Sequence, residues 1–328
     1  MQRIHIIARV IVMGFLLVSM ACGRGPETPP GETEAGLENG SFTAELNGHR
    51  IHYEVHGSGP VLMTVPNSWG LSLEGLRGMY GPLEDSLTMV YFDPRGMGGS
   101  GPVTEPEDMS MEAVRADFQA LREHLGLEKV NAIGWSNGAS NLILLASERP
   151  ETLESAIFVH GAAKFDEEDW AEMSSRYPAL IKDREKFEAS LAAEQLSEEE
   201  RTARTKAFWL ERYFPEAMAR PEVSVQAMRA AFDPAQFSRA HVDYTNAEYP
   251  TFDTTDLLPD IPVRSLVIAG EADMMPPAKV RILADGLPDA EFAILKNSGH
   301  FGPIEEPDRF REIVLRFLGV GRSSPASN

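Results

Sequence analysis

A single cysteine, Cys22, stands in 328 residues. No intramolecular disulfide can form, so a disulfide-stapled scaffold is excluded and the fold must be held by packing. Positive charge is also short: 30 Lys and Arg face 50 Asp and Glu, a net charge of -20. A phosphate backbone needs a basic face, so non-specific nucleic-acid binding is excluded, and acidity of this kind describes a solvated surface without naming a partner. No Gly-rich phosphate loop of the Walker type occurs. The run Gly96-Met97-Gly98-Gly99-Ser100-Gly101 is no dinucleotide fingerprint, because Pro102 and Pro106 separate it from the next helical pattern near Ser110. Neither a cofactor nor a metal is implied.

The N-terminus is apolar only briefly. Arg3 and Arg9 precede a run from Ile11 to Met20, shorter than the roughly 20 residues a bilayer-crossing helix needs. Ser19-Met20-Ala21 then offers small residues at a cleavage site, directly before Cys22. Residues 1–21 are therefore expected to be a signal peptide. The arrangement resembles a bacterial lipoprotein signal with Cys22 as the lipidation site, although Ser19 stands where leucine is usual and an ordinary secretory signal or an uncleaved anchor is open. The expectation is export across the bacterial inner membrane, with a lipid anchor, to the periplasm or cell surface. Residues 22–40, rich in Pro, Gly and Glu, carry too little apolar surface to order and read as a tether.

The remainder, with 43% hydrophobic residues overall, can build a large core. Two alternating segments joined at Asn47-Gly48 read as a hairpin. Apolar β-branched runs follow at 61–65, 87–92, 130–134, 155–160, 265–270 and 291–295, most of them separated by amphipathic helical segments. In one, Val114, Phe118, Leu121 and Leu125 share a face. Such alternation predicts a mostly parallel α/β sheet flanked by helices, with a core over 41–163 and 259–320. Between 164 and 258 the pattern turns charged and helical, with a capping box at Ser197–Glu200. This block, following the sixth sheet strand, is expected to be a helical cap over the strand ends.

Chemistry points to Gly134-Trp135-Ser136-Asn137-Gly138, where a strand pattern meets a helix pattern. Glycines on both sides permit a turn too tight for a β-carbon, and it would display the Ser136 hydroxyl at a helix N-terminus. A serine hydroxyl needs a base, and the base an orienting acid. His300 follows the last strand pattern, and Glu271 and Asp273 compete as the acid after the strand at 265–270.

The order Ser, acid, His, each after a sheet strand, resembles the α/β-hydrolase fold. The resemblance spans about residues 42–320. "DPRGMGGSG" (93–101) and "SGHFGPIEEPDRFREIVLRFL" (298–318) look like the branch of proline iminopeptidases and related esterases. It implies Ser136 as nucleophile, His300 as general base and acid, and Asp273 as orienting acid, since Gly270-Glu271-Ala272-Asp273 matches the family's Gly-x-x-Asp. Asp93 and Arg95 are expected to brace their loop. One oxyanion donor would be the Asn137 N–H. The other would come from "PNSWG" (66–70), where relatives carry His-Gly-Gly-Pro-Gly, with the Ser68 N–H expected first and Asn67 next. Asn67, Trp69, Trp135 and His160 are candidates to line the substrate, His160 equally a structural residue. A serine at the elbow excludes the aspartate-nucleophile dehalogenases and epoxide hydrolases. What remains is a serine hydrolase of small esters, or of amides of small molecules or short peptides, in which case carboxylates such as Glu167, Glu168, Glu211, Glu216 and Glu248 would hold an amino terminus. A tethered, non-catalytic binding protein of the same fold would be expected to show a damaged triad.

Overall fold

A computed structural model describes residues 37–321. The expected signal peptide, Cys22 and most of the tether lie outside the described residues; Gly40, assigned to the tether, opens the first strand. No helix of the described residues is long and apolar enough to cross a membrane.

The described residues form ten strands: β1 (Gly40–Leu46), β2 (His49–Gly57), β3 (Val61–Val65), β4 (Thr88–Phe92), β5 (Val130–Trp135), β6 (Leu153–Val159), β7 (Lys164–Phe165), β8 (Phe252–Asp253), β9 (Ser265–Gly270) and β10 (Ala290–Leu295). Eight of them form one sheet in the order β1-β2-β4-β3-β5-β6-β9-β10. β1 and β2 pair antiparallel through Asn47 (φ 52°) and Gly48 (φ 82°), whose left-handed backbone gives the turn the twist of the strands. β2 is antiparallel to β4, and every later neighbour is parallel. Parallel strands send their C-terminal ends to one edge, and the chemistry-bearing loops leave from that edge.

The continuous apolar runs are explained by burial on both faces. Along β5, Ile133 and Trp135 join one cluster while Val130 and Ala132 join the other; β6 and β9 alternate in the same way. On the first face lie α1 (Leu73–Tyr80), and, from the chain's end, α11 (Gly302–Glu305) and α12 (Pro307–Phe317). On the second lie α2 (Met111–His124), α3 (Asn137–Glu148) and α10 (Pro277–Gly286). Ser110 caps α2 by accepting the Ala113 N–H, so the helix starts where its apolar stripe starts.

The charged block contains α4 (Glu167–Arg176), α5 (Pro178–Ala193), α6 (Glu198–Phe208), α7 (Phe214–Glu216), α8 (Pro221–Phe232) and α9 (Arg239–Glu248). Its ends are tied by two-residue strands that periodicity does not reveal. β7 pairs antiparallel with β8, and the Ala163 carbonyl accepts both the Thr254 N–H (2.8 Å) and its hydroxyl (2.7 Å). The capping box at α6 forms between Ser197 and Glu200. Between α6 and α7, residues Trp209–Tyr213 form a π-helical turn.

The loop after β4 is braced by charge. Asp93 accepts the N–H groups of Leu73 (2.7 Å) and Gly99 (2.9 Å), and His52 Nδ1 lies 2.6 Å from it. Arg95 spans Asp108 (2.8 Å) and Asp117 (2.8 Å), with Arg95 only 11% and Asp117 1% exposed. Removing one partner of such a pair strands a buried charge, at about 3–5 kcal/mol, whereas removing both costs far less. Arg95→Met should lower the urea-unfolding free energy by that order, and adding Asp117→Leu should recover a substantial part of it.

Candidate active site

Four neighbouring parallel strands each deliver one side chain just beyond their C-terminal end: Ser136 after β5, His160 after β6, Asp273 after β9 and His300 after β10. The site follows from sheet order, because β5, β6, β9 and β10 are adjacent although far apart in sequence.

Ser136 occupies a backbone conformation rare for L-residues, φ 54° and ψ -121°. Its N–H bonds to the Val159 carbonyl (2.9 Å), and its own carbonyl starts α3 by accepting the Ala139 N–H (2.9 Å). The flanking glycines are there for space. A β-carbon on Gly134 would stand 2.3 Å from the Gly138 oxygen, and one on Gly138 would stand 2.5 Å from the Val65 oxygen. The hydroxyl of Ser136 is 3.0 Å from His300 Nε2, and His300 Nδ1 is 2.9 Å from Asp273 Oδ1. Glu271, the competing acid, is exposed, while Asp273 is 0% exposed.

His160 was expected to line the substrate or to serve structure. It borders the cavity described below, but both ring nitrogens are engaged within the protein. Nε2 accepts the Gly302 N–H (3.0 Å), which puts the ring proton on Nδ1, donated to Asp273 Oδ2 at 2.7 Å. Like Ser136, His160 has a positive φ, 53°. Asp273 Oδ1 also accepts the Met275 N–H (2.9 Å). Burial by itself would raise the Asp273 pKa, but the charge of His300 and the hydrogen bonds from His160 and His300 outweigh it and hold the carboxyl well below its ordinary value of 3.8. A depressed carboxylate stabilises the fold above its ordinary pKa. That contribution is lost as pH falls through the lower, folded value.

His160, Asp273 and His300 also have donor atoms close enough to surround an ion, the one such group among the described residues. Those atoms are instead bonded to one another and to Ser136 and Gly302, with both Nδ1 positions facing the carboxylate. One His-x-x-x-His spacing, His52 to His56, stands in the sequence. In β2 it separates the residues by roughly 13 Å, and each histidine has its own carboxylate, Asp93 or Glu54.

The Ser68 N–H, expected to face an oxyanion, is donated to Asn137 Oδ1 (2.8 Å), and the Ser68 hydroxyl goes to the same atom (2.9 Å). With no glycine in this part of the loop, a buried amide needed a partner and the Asn137 side chain supplies it. Ser68 does not border the cavity, whereas Asn67 does, and the Asn67 N–H has no partner among the described residues.

Above these residues lies a cavity of about 700 Å³ bordered by Ser136, Asn137, His160 and His300, and by Asn67, Trp69 and Trp135 as expected. Trp135 also donates its indole N–H to the His300 carbonyl (2.8 Å). The block of helices α4–α9 closes the cavity with aromatic side chains that went unassigned in the sequence, among them Trp170, Trp209, Tyr213 and Phe214. The clustering in "FWLERYF" (208–214) was the available signal, and the π turn places both Trp209 and Tyr213 at the cavity wall. The five cap glutamates named for amine binding, Glu167, Glu168, Glu211, Glu216 and Glu248, are all exposed, and none borders the cavity.

Sheet, connectivity and capped cavity define a hydrolase of the α/β type. The model of the alpha/beta hydrolase fold family matches residues 67–307, and the chain belongs to that family. RutD of Caulobacter vibrioides strain NA1000 is 27% identical over 274 residues, covering 82% of this chain and 95% of that protein. A proline iminopeptidase of Clostridium botulinum strain Hall is 25% identical over 244 residues, 72% of this chain and 81% of that one. In fold, an alpha/beta family hydrolase from Bacillus anthracis strain Sterne superposes with a TM-score of 0.69 at 19% identity, over 85% of this chain and 99% of that chain.

The contacts at Gly134 are with backbone, which cannot swing aside. Gly134→Ala should cost about 3 kcal/mol or more. Gly81→Ala, where a β-carbon meets nothing within 4 Å, serves as its control and should be nearly silent in the same thermal-unfolding assay.

Proposed function

We propose that the chain is a serine hydrolase that cleaves esters of apolar acyl groups through an acyl-enzyme. The reading is carried by one observation: an unbroken hydrogen-bond chain from Ser136 Oγ through His300 to Asp273, at 3.0 and 2.9 Å, opens onto an apolar cavity. His300 takes the Ser136 proton as the oxygen attacks the ester carbonyl. The tetrahedral oxyanion is held by the N–H of Asn137 and by that of Asn67. Collapse of the intermediate expels the alcohol, which leaves with the proton from His300. Water, deprotonated by His300, then attacks the acyl-serine; the acid departs and Ser136 regains its proton. Asp273 holds the His300 tautomer throughout and stays anionic. His160 is a positioning residue that fixes the second carboxylate oxygen, so the acid cannot rotate away from His300.

The cavity wall favours an ester over an aminoacyl amide. A free amino terminus calls for an unpaired carboxylate, yet among the described residues only two carboxylates border the cavity. Glu188 is engaged by Arg239 (3.1 and 2.7 Å), and Asp253 accepts the N–H and hydroxyl of Thr255 (3.0 and 2.6 Å). A RutD relative named for carbamate hydrolysis and a relative named proline iminopeptidase both fit attack on a carbonyl without choosing the leaving group.

A fluorophosphonate probe should label the folded protein at Ser136, and Ser136→Ala should abolish both labelling and turnover. A folded wild-type protein that stays unlabelled would refute the nucleophile. Nitrophenyl esters of apolar acids should be turned over and aminoacyl arylamides should not. His160→Ala should lower kcat roughly tenfold to a hundredfold with little change in KM, the cost of an orienting hydrogen bond to a charged group, about 1.5–3 kcal/mol. His160→Asn can place an N–H near the old Nδ1 and tolerates positive φ, so it should restore part of the loss. Equal kcat in all three proteins would remove His160 from the mechanism.

A further inference from the structure

The inward face of α5 breaks its own pattern. Leu180 and Leu191 are its buried residues, and the stripe that joins them at helical spacing runs through positions 184 and 188. Those positions hold Arg184 and Glu188, and both side chains border the cavity. A helix that should present leucines to an apolar cavity presents two charges instead.

The two charges have different fates. Glu188 takes a bidentate pair from Arg239, which is itself shared with Asp243 at 2.8 Å, so its charge is matched inside the cap. Among the described residues, Arg184 has no carboxylate within 4.0 Å and none of its N–H groups has an acceptor. Its recorded contact is with an aromatic face: the guanidinium carbon lies 5.1 Å from the centroid of the Trp170 ring. A cation–π contact offsets part of the charge but accepts no hydrogen bond. Tyr213, one of the residues on the cavity wall, is close enough for Arg184 to act on its hydroxyl electrostatically.

Among the described residues no other lysine or arginine borders the cavity, and the histidines there have their nitrogens engaged. A partly desolvated guanidinium without a counter-charge is costly, and its planar fork of donors matches a carboxylate. We propose that Arg184 anchors a carboxylate carried by the substrate. The preferred substrates are then esters whose apolar body reaches from Ser136 to the α5 wall and ends in an anionic carboxylate. Half-esters of dicarboxylic acids are the simplest members of this class. This substrate class rests on the serine-hydrolase reading above; the carboxylate anchor itself is tested by binding alone.

Two hydrolysis-proof ether analogues of equal length, one ending in a carboxylate and one in the neutral amide, are titrated into the full chain and followed by tryptophan fluorescence, since Trp170 lies against Arg184. Wild type should bind the carboxylate about ten- to a hundredfold more tightly than the amide. Arg184→Gln should bring that ratio to about one, Arg184→Lys should keep part of it, and Arg184→Glu should invert it toward an amine-tipped analogue. Circular dichroism checks that each variant is folded. Equal affinity of the wild type for carboxylate and amide overturns the anchor, as does a ratio unchanged in Arg184→Gln. If the carboxylate is preferred while Ser136 neither takes the fluorophosphonate nor turns over any ester, the anchor stands. The hydrolase reading, and the substrate class with it, then fails.

Discussion

A carboxylate sealed from water governs the centre of this protein. Asp273 has no exposed surface, and a charge in that position survives only if every lone pair is answered. Two histidines and a backbone amide answer it: His160 on one oxygen, His300 and the Met275 N–H on the other. Each histidine arrives from a different strand, so satisfying one buried charge fixes the relative placement of β6, β9 and β10. The same demand fixes chemistry. Because His160 closes the Oδ2 side, Oδ1 is left to His300 and the Met275 N–H, and His300 keeps Nε2 toward Ser136. The strain at Ser136 and His160, both at positive φ, is carried because sheet, carboxylate and glycines over-determine those two backbones.

The cap takes part in that arrangement as well as covering it. The His300 N–H bonds to the Ala217 carbonyl at 2.7 Å, so the loop carrying His300 hangs from the cap. Glu305, the buried last residue of α11, accepts from Ala219 N–H (2.7 Å) on the cap side and from Gly299 N–H (2.8 Å) on the histidine side. One side chain thus stitches the two together. Gly299 makes the approach possible, since a β-carbon there would meet the Ala217 oxygen at 2.2 Å. From the other flank Arg176 of α4 donates to the carbonyls of Asp273 and Met274, both at 3.2 Å. A shift of the cap would therefore move the His300 and Asp273 loops together with the cavity wall, which joins cavity shape to the alignment of Ser136, His300 and Asp273.

The core strands were legible because strands buried on both faces leave continuous apolar runs, and β3 and β9 begin and end where those runs do. Ser136, Asp273 and His300 were legible because each stands where a strand pattern stops, and the structure brings the three together. Less could be read where a role depends on orientation. Nothing in an apolar run that ends at His160 says that its ring turns sideways onto a carboxylate supplied 113 residues later. Composition could not decide between amine ligands and solvated faces for the cap glutamates, because it does not tell the face of a helix; all five are exposed. Arg184 was visible in principle, as a charge on the Leu180–Leu191 stripe of α5. That stripe is thin, with only two buried residues in the helix, so the departure did not stand out. The strands β7 and β8 are too short to show any period at all.

The loop at 66–70 shows how a lost motif can be made good locally. Glycines there would let a backbone amide face the reacting oxygen without crowding; this chain has Asn67 and Ser68 instead. The larger residues bury the Ser68 amide, and a buried N–H left alone costs about 1–3 kcal/mol. Helix α3 answers through two side chains one turn apart: Asn137 accepts both Ser68 donors, and Asn141 donates to the Pro66 carbonyl at 3.2 Å. Gly138 lies between them and lets the helix sit flush on the loop, where any β-carbon would meet the Val65 oxygen. The loop is thereby locked to the residue that follows Ser136, so the two walls that would bind an oxyanion move as one. Preorganised donors stabilise developing charge without reorganising when the reaction occurs. A loop stiffened by two asparagines gains that rigidity by a route other than glycine, and the Asn67 amide is the one it leaves facing the cavity.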